Sequence, residues 1–180
     1  AKFIQGVCNK DGELIILVEF DITAVPSTDD IGGAELGLYL YDCYSSSSTL
    51  TLDVHPVTSG WSESVTWSGR PSFGPTMASA TTTPGTGYFV TWDVTNLVSE
   101  WHTGARTNYG MAVYDHGTDY FQRFVSSDNA TSPDPSWAIP PSDADYRPYL
   151  SIDHSAPCED QSPEPATCLL LACSVAVIGL

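Results

Sequence analysis

Leu36-Gly37-Leu38-Tyr39-Leu40-Tyr41 decides the fold, because leucine recurs there at every second position. Period two belongs to a half-buried strand, whose successive side chains point to opposite faces. Leu50-Thr51-Leu52-Asp53-Val54 repeats the pattern, and Ser45 to Ser48 between them read as a plain loop. Working outward, the same reading expects strands at Phe3 to Cys8, Leu14 to Phe20, Tyr88 to Trp92, Met111 to Tyr114, Tyr120 to Val125 and Tyr149 to Ile152. Strands so closely spaced, with no long helical pattern between them, predict an all-β chain: an antiparallel β-sandwich or jelly roll, and not a parallel sheet.

One short helix is expected. Leu97, Val98 and Trp101 are spaced for one helical face, with Thr95 as the cap and Gly104 as the stop, for about two turns. Residues 132–148 carry five prolines and read as a long loop, ordered or mobile.

The chain has 180 residues, enough for one domain with a real core. Acidic residues outnumber basic ones 22 to 6, for a formal net charge of -16. A nucleic-acid partner or an anionic membrane surface needs a basic face, so both are excluded as partners held by charge. With 16% charged, 42% hydrophobic and 11% aromatic residues, the composition is globular and has the texture of a secreted β protein. The five cysteines show no C-x-x-C pair of the kind zinc or redox sites use. Cys8 and Cys43 fall in strand-like segments, and a bridge or two buried thiols both remain open.

No catalytic pattern is present. There is no G-x-S-x-G, H-E-x-x-H, phosphate loop or G-x-G-x-x-G, and His55, His102, His116 and His154 are scattered singly. Among 22 acids some carboxylate pairs are inevitable, and nothing singles one out for glycoside cleavage. The chain is therefore read as a non-enzyme.

Three stretches together resemble the DNRLRE domain family. They are Leu17-Val-Glu-Phe20-Asp21-Ile; Trp61-Ser-Glu63-Ser-Val-Thr66-Trp67-Ser-Gly-Arg70-Pro71; and Trp92-Asp93-Val-Thr95 through Trp101 and Asn108-Tyr109-Gly110 to Arg147-Pro148-Tyr149-Leu150. The resemblance covers residues 14–152. It implies a secreted β-sandwich related to carbohydrate-binding modules for alginate-type polysaccharides.

The end of the chain has its own resemblance. Pro163-Glu164-Pro165, followed by an apolar run, is similar to a PEP-CTERM signal, the bacterial sorting tag read by an exosortase. The division expected is a sandwich over 1–154, an acidic proline-containing spacer over 155–167 and an apolar sorting or membrane segment over 168–180. As a helix, the last segment would be roughly 20 Å long against the ~30 Å of a bilayer core, so it is read as incomplete.

Candidate binding residues follow from sugar stacking, for which an exposed aromatic ring on a rigid loop is suited. Trp137 in the proline-rich loop leads, extended by Tyr120 and Arg123, with Tyr44 beside the serine loop. Trp61, Trp67, Trp92 and Trp101 are assigned to the core, and Glu63 with Arg70 to a structural pair. Asp128, Asp134, Asp143 and Asp145 are candidate ligands for a structural calcium ion, although their spacing fits no fixed calcium loop. The acidity favours a neutral glycan, or an acidic one bridged by calcium.

The function expected is non-catalytic carbohydrate binding outside a bacterial cell, at its surface or in its exopolysaccharide matrix, with an exosortase-type enzyme as sorting partner. The alternative is a filament subunit that self-assembles through its apolar tail as a donor strand. A polysaccharide hydrolase stands third.

Overall fold

The computed structural model describes residues 3–8, 14–43, 49–115, 122–126, 146–157 and 174–179. Its strands are β1 (Phe3–Cys8), β2 (Leu14–Glu19), β3 (Asp30–Cys43), β4 (Thr51–Pro56), β5 (Ala78–Thr81), β6 (Tyr88–Asp93), β7 (Met111–Asp115), β8 (Gln122–Phe124), β9 (Tyr149–Ser155) and β10 (Ser174–Gly179). Helix α1 (Thr95–His102) joins β6 to β7. One sheet runs β1-β2-β7-β4-β5; the other runs β10-β9-β3-β6, with β8 also on β3. Every pairing is antiparallel. The expected all-β sandwich is what forms.

The interior lies between the two sheets. Ile16 and Val18 of β2, Leu52 and Val54 of β4 and Met111 and Val113 of β7 meet Leu36, Leu38 and Leu40 of β3, Val90 and Trp92 of β6 and Leu150 and Ile152 of β9. Trp92 crosses this interior: its indole N–H donates to the Leu52 carbonyl of the opposite sheet at 3.0 Å. Helix α1 closes one end with Leu97, Val98 and Trp101, all buried.

The strand periods explain what lies outside. In β2, Ile15, Ile16, Leu17 and Val18 are all buried, so the run is apolar without alternation because both of its faces are covered. The cover is the segment between β4 and β5, which lays Trp61, Val65, Trp67 and Phe73 over Ile15, Leu17, Val57 and Ala112. The Trp61 indole N–H donates to the Tyr109 carbonyl at 2.8 Å. Trp92 and Trp101 are core residues as expected, while Trp61 and Trp67 are half-buried in this second, smaller cluster.

The motif residues have physical roles. Asn108 donates to the Phe20 carbonyl and accepts from the Gly110 N–H, fastening the end of β2 to the start of β7. Gly110 has φ +86, and a Cβ there would collide with the Val18 carbonyl. The end of α1 is as expected, with Gly104 at φ +74, but its start is not. Val94 is the cap, with no side-chain bond. Thr95 is the first helical residue; its hydroxyl donates to the Asp93 carboxylate at 2.6 Å and accepts the Ala34 N–H at 2.9 Å. The threonine side chain is thus spent on joining the helix to β3 and β6.

Arg70 corrects a second expectation. Its guanidinium donates to the Trp67 carbonyl at 2.9 Å and lies 4.1 Å from the Trp67 ring centroid, while Glu63 is exposed. The arginine's planar cation gains more on an aromatic face than on a solvated carboxylate.

β10 pairs with β9 over Ser174–Gly179, in register with Tyr149–His154. Among the described residues no helix is long and apolar enough to cross a membrane. Cys8 and Cys43 lie on strands of different sheets, and their side chains fall outside what is described.

The Trp92 cross-link generates a prediction. Trp92→Phe removes a buried hydrogen bond and leaves a void, and is expected to cost roughly 2–4 kcal/mol. Urea unfolding should show a lower midpoint at unchanged slope, with Trp61→Phe costing less because Trp61 is half-exposed.

Candidate functional site

While β2 is covered on both sides, β3 alternates. Ala34, Leu36, Leu38 and Leu40 are buried, and Glu35, Gly37 and Tyr39 point away from the core. Register sets the neighbours of these outward residues: Tyr39 lies opposite Phe89, Gly37 opposite both Thr91 and Tyr149, and Glu35 opposite both Asp93 and Ser151.

Aromatic rings collect at one end of this face. Tyr39 and Phe89 have ring centroids 5.1 Å apart at 71°, and Tyr39 and Tyr146 4.3 Å apart at 48°. Phe89 and Tyr149 follow at 5.3 Å and 67°. All four are partly exposed. Edge-to-face and tilted packing of this kind stabilises the rings against one another, so they need little further ordering when a ligand arrives.

Tyr149 is placed by two neighbours. Its ring lies over Gly37, where any Cβ would land inside the ring. Its hydroxyl donates to Glu35 at 2.6 Å. Burial, then the bond and the charge of Glu35, push the phenol pKa up to about 12, so the hydroxyl stays protonated and keeps donating.

Beyond Glu35 the face opens into a shallow groove of about 340 Å³, lined by Gly32, Gly33, Glu35, Asp93, Ser151 and Asp153 among others. Gly32 is the bulged residue where the β3–β9 register shifts, and two adjacent glycines leave the floor without side chains. Asp93 accepts from the Thr95 hydroxyl and backbone N–H, and these bonds, the hydroxyl's first, hold its carboxyl below the usual range. It is a fixed anion and acceptor. Among the described residues no group of three or more His, Cys, Asp or Glu is arranged to hold a metal ion. Glu35, Asp93 and Asp153 supply the groove with hydrogen-bond acceptors, beside the Ser151 hydroxyl.

A second polar cluster lies on the outer face of the other sheet. Asp53 accepts from Ser79 at 2.6 Å and from Thr76 at 3.5 Å, and His55 is held through Nδ1 at the Gly74 carbonyl, 2.9 Å away. Ser79 is bonded to the carboxylate, and the Thr76 hydroxyl lies 3.5 Å from both the Asp53 carboxylate and His55 Nε2.

Of the residues expected from sequence to bind ligand, Arg123 is described. It is exposed on β8 between Gln122 and Phe124, which turn inward, and so it alternates to the outer side of the same sheet as the rings. Trp137, Tyr120 and Tyr44 lie outside the described residues, as do Asp128, Asp134, Asp143 and Asp145 and the Pro163-Glu164-Pro165 motif. Tyr39, Phe89, Tyr146 and Tyr149 were missed. The signal for two of them was present: Tyr39 is the outward alternate of the leucines, and Phe89 is its counterpart between Tyr88 and Val90.

An antiparallel sandwich that presents a partly exposed aromatic sheet face beside a hydroxyl-accepting groove has the equipment of a carbohydrate-binding module. Residues 7–140 match the model of carbohydrate-binding module family 96, and the chain belongs to that family. This is the carbohydrate-binding kinship that the sequence resemblance implied; the DNRLRE label and the sorting tail are separate readings on which the match does not bear. No curated protein matches the chain. Tyr39 and Phe89 fall inside the matched residues, and Tyr146 and Tyr149 follow them.

The tyrosine generates a pH prediction. A phenol raised to about 12 in the fold, against 10.0 ordinarily, binds its proton more tightly folded than unfolded. Its contribution is fully present below pH 10 and is lost as pH rises toward 12. Tyr149→Phe should therefore show a shallower loss of stability across that window, measured by urea unfolding at stepped pH.

Proposed function

We propose that this chain is a non-catalytic, extracellular carbohydrate-binding module that holds polysaccharide against the outer face of the β9-β3-β6 sheet. The observation that carries the reading is the cluster of Tyr39, Phe89, Tyr146 and Tyr149 on a sheet face that the sandwich does not bury, in a chain of a carbohydrate-binding family. Sugar rings present apolar C–H faces and hydroxyl rims, which match aromatic rings and the neighbouring carboxylates respectively. Trp137, Tyr120 and Tyr44 extend this contact in the proposal, together with Arg123. Delivery to the cell surface or its exopolysaccharide matrix is assigned to the Pro163-Glu164-Pro165 tag and an exosortase.

A second reading has its own support. The pairing of β10 with β9 shows that the apolar tail is compatible with a strand at this edge. If copies exchange that strand, the protein is a self-assembling structural subunit. Removal of residues 168–180 would then abolish oligomers in sedimentation, and leave glycan retention untouched.

Affinity electrophoresis against a panel of neutral and acidic polysaccharides, with calcium and with chelator, tests the main reading. At least one polysaccharide should retard the protein. Tyr39→Ala and Tyr146→Ala should each weaken retention about tenfold, the worth of one aromatic contact, and Trp137→Ala should weaken it too. Retention of a folded protein by none contradicts the proposal.

A further inference from the structure

The polar cluster on the outer face of the β4-β5 pair lies on the other sheet from the aromatic rings, and the carbohydrate reading makes no use of it. Asp53 and His55 alternate on β4 and so share one face of the strand. Ser79 stands opposite Asp53 on β5, and Thr76 belongs to the segment just before that strand. We infer that this cluster is a divalent transition-metal site, best fitted to zinc. His55 Nε2 and Asp53 Oδ2 are its ligands, with the Thr76 hydroxyl as a third and water completing the shell.

Three observations carry it. His55 Nδ1 lies 2.9 Å from the Gly74 carbonyl, which can only accept, so in the neutral ring Nδ1 holds the proton and Nε2 offers its lone pair. Asp53 is held in the same way: Oδ1 accepts from Ser79 at 2.6 Å, and Oδ2 is the oxygen turned toward Thr76. Metal-ligating histidines and carboxylates are characteristically fixed through their other polar atom, as both are here. The third observation is spacing. Thr76 Oγ1 is 3.5 Å from His55 Nε2 and 3.5 Å from Asp53 Oδ2. That is longer than the ~2.5–3.0 Å of a good O–H hydrogen bond, and one hydroxyl proton cannot serve both acceptors. Atoms bound to one tetrahedral zinc at ~2.0–2.2 Å stand ~3.3–3.6 Å apart, which matches.

The imidazole is braced by Tyr114, with ring centroids 6.4 Å apart at 75°. Asp53 is buried and Thr76 exposed, so an ion enters from the threonine side. A ring-nitrogen ligand favours zinc over calcium or magnesium. Two strong protein ligands in place of four make the site open and exchangeable.

The test titrates the full chain, its histidines labelled with nitrogen-15, in buffers that set free zinc. The ring nitrogens are read directly because the five cysteines also take up zinc. His55 Nε2 should move to a metal-bound shift, half complete at about 10 µM free zinc, while Nδ1 keeps its proton. Millimolar calcium or magnesium should leave it in place. Asp53→Asn should weaken zinc at this nitrogen about tenfold or more, and Ser79→Ala, at an exposed position, several-fold. A His55 ring unmoved at about 1 mM free zinc, ligation through Nδ1, or undiminished affinity in folded Asp53→Asn would overturn the inference. None of these results bears on glycan retention.

Discussion

A two-sheet sandwich has one interior and two outer faces, and the rest of this structure follows from how those outer faces are treated. The interior is filled by residues alternating from both sheets and pinned by the Trp92 bond to Leu52. One outer face is sealed by the segment that carries Trp61, Trp67 and Phe73, which accounts for the unbroken apolar run of β2. The other carries Glu35, Tyr39, Phe89 and Tyr149 at its surface, with Gly37 buried beneath the Tyr149 ring. Large aromatic side chains on a face that the fold does not need to bury are what a flat, partly apolar ligand requires.

The open face is held in shape by bonds that also serve the fold. Tyr149 lies over Gly37 and donates to Glu35, so one tyrosine is both a covering for bare backbone and part of the aromatic cluster. At the groove end, Thr95 starts the helix, bonds Asp93 and accepts the Ala34 N–H. The helix start, the strand and the groove wall are therefore one hydrogen-bonded unit. Nearby, Asp29 accepts from His154 through its carboxylate at 2.7 Å and from His102 through its carbonyl at 2.8 Å, tying the loop before β3 to β9 and α1. Such preorganisation lowers the ordering that a ligand must otherwise impose.

Much of the fold was legible because periodicity reports burial. The leucines at 36, 38 and 40 marked β3, and the strands expected at Phe3, Leu14, Tyr88, Met111 and Tyr149 all form. Strand β5 and the first half of β3 escaped: Ala78–Thr81 holds small, weakly patterned residues, and Asp30 to Gly33 sets one acid beside two glycines, a composition that reads as turn. The cap at Thr95 was misread because a hydroxyl before a helical stripe usually bonds the helix's own N–H groups, and here tertiary partners claim it. The site was less legible. Attention to tryptophan and to the proline-rich loop passed over tyrosines whose significance lies in register: Gly37 and Tyr149 are 112 positions apart in sequence and meet only once β3 and β9 pair.

The central claim is that the sheet face left open by the fold is where glycan binds. Its most direct test is to titrate the isotopically labelled protein with a soluble polysaccharide that retards it, and to map the backbone amide shifts. The account predicts that the largest changes fall at Gly32 to Tyr39, Phe89 to Asp93 and Tyr146 to Asp153. Changes concentrated instead at Trp61 to Phe73, on the sealed side of the sandwich, would contradict it.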